Sequence, residues 1–325
     1  MEKQKYLFEV IKSKISVHQR LTDVIEDLLG VGLDSAYRRI RGETELTFSE
    51  LLKICEKFDL SVDDFLSNKS KQGAFFYHTP VVNSDPESYI NYMTLLLNRL
   101  NLDSKSANET ELVFTAQEIP FYHFFKYPEL AYFRLFAWND VLNHRALSYS
   151  KFCDGLKKDK IHATYEQIHH IFLTTPSKEI WTKHTIYSTI RMLEYYFETD
   201  AFESKDVKLL LLDQLDSLMN TVHDYANKGH KGETPFELYC CSVDLENNFV
   251  LFRQGADLSC IVQLYAINRV LTKNEQLCAE IQKWIESLMF KSTLISGNTS
   301  FKDRHQFFHS AKIKIHNLIN KVKAN

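Results

Sequence analysis

The sequence predicts a mainly α-helical protein: a small N-terminal bundle of five helices, then a large helical domain carrying one small β-hairpin. Three observations predict it. Only 9 glycines and 6 prolines occur in 325 residues, well under the usual shares of about 7% and 5%, so turns are few and long helices are favoured. Apolar residues recur at spacings of three and four through most of the chain, the period of a half-buried helix. A β-prone pattern emerges only late, over Phe236 to Val243 and Phe249 to Phe252. The expected organisation is a bundle over 1–68, a linker or arm over 69–85, and a helical domain over 86–325.

The bundle is argued helix by helix. Lys3 to Ile15 places Tyr6, Leu7, Val10 and Ile11 on one stripe. Ser16-Val17-His18-Gln19 has capping-box order and leads into Leu21, Val24, Ile25, Leu28 and Leu29. Gly30 and Gly32 supply a permissive backbone for a tight turn. Asp34 is a natural N-cap and Gly42 a natural stop, which sets the third helix at 34–41. On a helical wheel Leu33, Ala36, Tyr37 and Ile40 share the apolar side, which assigns Tyr37 to the core, while Ser35, Arg38, Arg39 and Arg41 lie elsewhere. Thr47-Phe48-Ser49-Glu50 is a second capping box, opening a helix with Phe48, Leu51, Leu52, Cys55 and Phe58. Leu60 to Leu66 makes the last short helix. Five helices in under 70 residues, the third short and arginine-faced, form a helix-turn-helix domain.

Residues 16–66 resemble the Cro/lambda-repressor-like helix-turn-helix domain, also called the XRE type. The likeness is carried by Ala36-Tyr37-Arg38-Arg39-Ile40-Arg41-Gly42-Glu43 and by Leu60-Ser61-Val62-Asp63-Asp64-Phe65. One departure stands out: Ala36 and Ile40 are four apart, where the family usually has two apolar residues three apart. The resemblance implies that the second helix crosses the DNA backbone and the third enters the major groove. Ser35, Arg38 and Arg39 are then the candidates for base edges, and Arg41 and Arg20 for phosphates. Arginine suits both roles, since its fork matches guanine O6 and N7 and also grips phosphate. Double-stranded DNA is thus the expected partner. A short helix reads few base pairs, so a homodimer on two half-sites is expected.

Net charge is −3 overall, and residues 1–70 hold 11 Lys and Arg against 13 Asp and Glu, a net of −2. Average charge therefore excludes a general polyanion binder, and binding must come from the local cluster at 38–41. No apolar run approaches a membrane span of 18 or so residues, and charges interrupt the first 20 residues, so neither a signal peptide nor a membrane is expected. Six cysteines without paired short spacings fit a reducing cytoplasm. Cys240 and Cys241, neighbours in a predicted strand, point to opposite faces.

Beyond the polar stretch Asn68 to Gly73, Ala74 to Val82 reads as an extended arm. A helix from Pro86 carries Ile90, Met93, Leu97 and Leu100. Glu111 to Thr115 is a short strand. Pro128 opens a helix apolar nearly all round, and the aromatic segment Tyr122 to Trp138 is the expected place for an effector pocket, for a small molecule or a peptide. Thr175-Pro176 reads as a cap with proline at the first helical position, starting a helix through Ile180, Tyr187, Ile190, Leu193 and Phe197. Ser204 opens a helix with Val207, Leu211, Leu215, Leu218 and Val222. After a glycine-bearing loop, Phe236 to Val243 and Phe249 to Phe252 form the predicted hairpin. Thr272 and Glu275 cap a helix with Leu277, Ile281, Trp284 and Leu288. The last helix bears Phe308, Ala311, Ile315, Leu318 and Val322, a near-heptad stripe suited to pairing.

Catalytic signals are few. His305 and His309 stand four apart, with His316 seven beyond, but the intervening residues lack the glutamate of a zinc-binding HExxH helix; they come nearest to a metal site, and none is expected. His162, His169 and His170 form a looser group. Gly229-His230-Lys231-Gly232 is not a phosphate loop, since no strand feeds it into a helix. The expectation is a one-component, sequence-specific DNA-binding transcription regulator without enzyme activity or cofactor. The alternatives are a protein-interaction module built on the same fold, or an enzyme domain fused to a DNA-binding head.

Overall fold

The computed structural model describes residues 2–16, 19–58, 60, 62, 76–78, 86–104, 110–143, 148–199, 201–265 and 267–324. They fall into two compact units, residues 1–75 and 76–325.

The first unit contains α1 (Glu2–Lys14), α2 (Leu21–Leu29), α3 (Leu33–Ile40) and α4 (Phe48–Phe58). The predicted helix over 60–66 lies outside the described residues apart from Leu60 and Val62. The core is Leu7, Phe8, Ile11, Ile25, Leu29, Ala36 and Ile54. Tyr6, expected on the inner stripe of α1, is exposed, and Phe8 takes its place. At 16–19 the Ser16 N–H reaches Gln19 Oε1 at 3.4 Å, yet α2 starts only at Leu21, so this box closes a separate turn. The box at 47–50 forms as predicted: the Thr47 N–H donates to Glu50 Oε2 at 2.9 Å and the Glu50 N–H to Thr47 Oγ1 at 3.3 Å.

The second unit overturns the mainly α reading. In chain order it comprises β1 (Tyr77–His78), α5 (Pro86–Ser104), β2 (Thr110–Ala116), a 3-10 turn (Phe121–Lys126), α6 (Pro128–Asn143), α7 (Tyr149–Asp154), α8 (Lys158–Thr174), β3 (Ser177–Thr182), α9 (Thr185–Glu198) and α10 (Lys205–Lys228). Then follow β4 (His230–Lys231), β5 (Thr234–Cys241), β6 (Phe249–Gln254), β7 (Asp257–Tyr265), β8 (Asn268–Thr272), α11 (Glu275–Phe290), β9 (Ser292–Leu294) and α12 (Phe301–Ala324). The strands build one nine-stranded mixed sheet in the order β1-β8-β7-β6-β2-β3-β5-β4, with β9 also on β5. At its centre β2, β3 and β5 are parallel, with Phe114 opposite Glu179 and Glu179 opposite Leu238. On the other side of β2 the sheet turns antiparallel through β6, β7 and β8.

Two predicted elements are corrected. Thr175-Pro176 does not start a helix; Ser177–Thr182 is a central strand, and the helix begins only at Thr185. Pro176 cannot donate, but its carbonyl accepts from the Leu112 N–H at 2.9 Å, which sets the register of β3 on β2. Nor do 236–243 and 249–252 pair with each other: β5 and β6 are separated by β3 and β2. The true meander is β6-β7-β8. Of the predicted arm, Tyr77 and His78 pair antiparallel with Leu271 and Val270 at the sheet edge; the remainder of 69–85, save Phe76, lies outside the described residues.

Both faces of the sheet are covered. Leu112, Phe114, Trp181, Phe236, Leu238 and Phe252 point into the larger core with α5, α6, α8, α9, α10 and α12. Val113, Ile180, Cys241 and Leu251 point the other way, against Cys278, Ile285 and Leu288 of α11. The predicted opposite orientations of Cys240 and Cys241 hold, and the six cysteines are free thiols. The stripe Phe308, Ala311, Ile315, Leu318 and Val322 is buried inside this unit, with α12 packed on α10, so it is not available as an intermolecular seam.

Candidate nucleic-acid interface and ligand cavity

The turn between α2 and α3 rests on Gly30. Its φ of 66° is left-handed, and its N–H returns to Glu26 O at 2.9 Å, ending α2. Gly32 has an ordinary φ of −71° and precedes α3, so the helix begins one residue earlier than expected and Asp34 lies in its first turn rather than capping it. Ala36 is fully buried and Ile40 half-buried, which seats the helix. The spacing of four therefore sets its rotation, and Leu33 and Tyr37 are turned outward, 52% and 45% exposed. The assignment of Tyr37 to the core is corrected accordingly.

The three arginines part company. Arg39 is drawn back onto α4: its Nη2 lies 2.9 Å from Glu50 Oε1, with both side chains 15% exposed. Its Nη1 donates to Ser35 O at 3.2 Å. Burial would raise the Glu50 carboxyl, but the Thr47 N–H and the Arg39 guanidinium outweigh it and hold the pKa below its ordinary value. Arg38 is exposed, and its guanidinium has no hydrogen-bond or ion-pair partner among the described residues. Arg41 is also exposed, lying over the Tyr37 ring at 4.5 Å and 3.6 Å from Glu43. Ser35 and Arg20 are exposed as well. The C-terminal end of α3 is held by Gln4 of α1, whose Nε2 donates to Arg39 O at 2.7 Å and Thr44 O at 2.8 Å while its Oε1 accepts from the Leu46 N–H at 3.2 Å. The outer face of α3 is thus a rigidly mounted row of Ser35, Arg38 and Arg41 beside Leu33 and Tyr37.

In the second unit, sequence reasoning missed a buried ionisable group around Glu179 of β3, whose side chain is wholly enclosed. His123 Nε2 lies 3.0 Å from its Oε2, and Trp181 Nε1 donates to the same oxygen at 2.8 Å. Lys231, which read as part of a polar loop, is also 0% exposed. Its Nζ sits 3.3 Å from the centroid of the Phe172 ring and has no hydrogen-bond partner. Burial pushes its pKa well below the ordinary value, Glu179 opposing only in part. Burial likewise drives His169, which faces the Tyr122 carbonyl at 3.3 Å, down to about 4. Neither of the two cavities beside the aromatic segment is lined by Glu179, His123, Lys231 or His169.

Open space does lie beside the aromatic segment singled out from the sequence. One cavity of about 510 Å³, mouth included, is lined by Phe121, Phe124, Phe125 and Arg134 together with Tyr89 and Tyr165. A neighbouring one of about 390 Å³ shares Glu118, Phe121 and Arg269 with it. Arg134 Nη2 pairs with Glu118 Oε2 at 2.7 Å. Burial works against the Glu118 charge, yet Arg134, Gln263 and Arg269 keep its pKa below the ordinary value.

His305 and His309 are exposed and stack on each other at 5.4 Å, and His316 turns to Asp216 at 3.6 Å. No cluster of three or more metal-ligating side chains occurs among the described residues. No helix among them is long and apolar enough to cross a membrane.

Comparison with curated proteins and with solved structures gave no match for the chain. A protein-family model does match: residues 10–91 are similar to the BetR domain, a family of helix-turn-helix transcriptional regulator domains.

Proposed function

We propose that the protein is a one-component transcription regulator that reads duplex DNA with α3, acts as a dimer on two half-sites, and senses an effector through residues 76–325. The observation that carries the reading is Arg38: a guanidinium without a partner among the described residues, on the outer face of a helix fixed at its C-terminal end by Gln4 and on its inner side by Ala36 and Glu50. Unspent arginine on a rigid helix of groove-fitting size supplies base contact, while Arg41, Ser35 and Arg20 supply backbone contacts. Arg39, spent on Glu50, supports the helix instead. The two-fold arrangement places half-sites about one helical turn apart.

The test is a salt titration of binding to mixed-sequence and selected duplexes. The parent is expected to bind with a log–log slope of about −0.9 per phosphate neutralised, and Arg38→Ala to lose sequence discrimination. A second reading is favoured by Leu33, Tyr37 and Phe48, which stand 52%, 45% and 72% exposed: an apolar protein partner docking on this unit. Absence of salt-dependent binding to any duplex by the parent selects that reading.

A further inference from the structure

We propose that the cavity shared by Glu118, Arg134 and Arg269 binds a small organic carboxylate with an aromatic body, its carboxylate held between the two guanidinium groups and its ring against Phe121 and Tyr165. The regulatory meaning of this site rests on the effector-sensing reading above; the binding itself does not.

The location follows from topology. β2 is the strand at which the sheet changes from parallel to antiparallel, with β3 on one side and β6 on the other. In open α/β sheets, ligands settle outside the carboxyl ends of the parallel strands, and the cavity lies just past the carboxyl end of β2. β2 ends at Ala116, and of the residues that follow it Glu118 and Phe121 line both cavities. Gln117 is tied down from both ends, its N–H to Asn248 Oδ1 at 2.7 Å and its side chain to the Leu245 carbonyl. The residue that leads into Glu118 is therefore fixed in place.

The chemistry follows from counting charge. Glu118 is fully committed: one oxygen takes Arg134 Nη2, the other accepts from Gln263 Nε2 at 3.1 Å. That leaves two donor groups over. Arg134 Nη1 is buried without a hydrogen-bond partner. Arg269 has no hydrogen-bond or ion-pair partner among the described residues; its guanidinium lies over the Phe121 ring at 4.1 Å. One carboxylate against two guanidiniums leaves a net positive charge in a partly desolvated space, which is costly until an anion enters. A forked guanidinium matches a carboxylate in geometry as well as charge. The remaining walls are rings: Tyr89 and Tyr165 joined through their hydroxyls at 2.7 Å, with Phe121, Phe124 and Phe125. The enclosed space is only about 50 Å³, room for a carboxylate, so the ring of the occupant lies in the solvent-open mouth.

The experiment uses the full chain with benzoate and phenylacetate as probes, benzyl alcohol and benzylamine as neutral and cationic controls, and inorganic phosphate as a ringless anion. Melting temperature and titration calorimetry are read without DNA. The aromatic carboxylates are expected to bind saturably and raise the melting temperature, the controls to do neither. Arg269→Gln, which leaves the Glu118–Arg134 ion pair in place, is expected to weaken benzoate at least about tenfold, as loss of a charge-assisted hydrogen bond implies. Arg269→Lys should recover part of it. Phe121→Leu is expected to weaken benzoate without creating phosphate binding. Failure of both carboxylates to bind the parent, equal binding of benzyl alcohol, or unchanged affinity in Arg269→Gln overturns the proposal. Operator affinity is then measured with and without benzoate: binding that leaves DNA affinity unchanged retains the site and removes its regulatory reading.

Discussion

Arg39 Nη2 lies 2.9 Å from Glu50 Oε1, and the same carboxylate closes the capping box of α4 through the Thr47 N–H at 2.9 Å. One side chain thus starts one helix and fixes the roll of another. Arg39→Ala and Glu50→Gln are expected to lower the stability of the N-terminal unit by about 1–3 kcal/mol each, because either leaves a half-buried polar group without its partner. Both should weaken all DNA sequences alike. Chemical denaturation of the two variants and of the double variant checks it; strict additivity would mean the pair does not interact.

Arg38→Ala should behave in the opposite way. With no partner to lose, stability is unchanged within about 0.5 kcal/mol. DNA affinity for the selected site falls by about 1–3 kcal/mol, with discrimination lost at one position. Arg41→Ala should instead weaken every sequence and shallow the salt slope by about 1. Selection from a randomised site library separates the two patterns, and identical profiles for both variants would refute this division of labour.

The Glu50 carboxyl carries a pH signature. Its folded pKa is below the ordinary value of 4.5, so the folded state holds fewer protons there than the unfolded one. The stabilisation is complete above about pH 4.5 and is lost as pH falls through the folded pKa. Glu50→Gln should flatten the acid limb of the stability curve of the N-terminal unit.

Lys231 predicts a gain. Its folded pKa is well below 10.5, so the unfolded chain binds the extra proton and stability rises with pH up to that value. Lys231→Met is expected to raise the stability of the second unit at neutral pH by about 1–4 kcal/mol and to remove this alkaline rise. Glu179→Leu should do the reverse, by about 2–5 kcal/mol, since the Trp181 indole N–H and His123 are both left unpaired in the core.

Gly229 closes α10 at φ 73°, and a Cβ there would meet Gly297 Cα at 3.2 Å. Gly232, at φ 63°, has open space around it. Both alanine variants incur left-handed strain of about 1–2 kcal/mol, but Gly229→Ala should cost more, and thermal melts of the pair should show the difference.

The N-terminal helices were legible because each buries one side only, so Leu21, Ile25 and Leu29 repeat at a helical period. The caps that could be read, Thr47 and Ser204, are local chemistry. Of the central strands, β2 was read over Glu111 to Thr115, but β3 was hidden for the converse reason: both faces of Glu179-Ile180-Trp181 are buried, so no alternation marks it. Thr175-Pro176 stands before a strand as acceptably as before a helix. The hairpin failed because neighbours in sequence were placed two strands apart. Of the site, Ser35, Arg38 and Arg41 were visible as a polar arc, but which arginine was free depended on Glu50, eleven residues beyond Arg39. Glu118, Arg134 and Arg269 lie on three separate elements, and no spacing rule joins them.

β8 serves two masters. It carries Arg269 to the cavity beside the aromatic segment, and at the very next position Val270 is paired with His78 of β1. The strand that lines this cavity is therefore also the strand on which β1 is paired, so a change at Arg269 is felt one residue from the edge of the sheet.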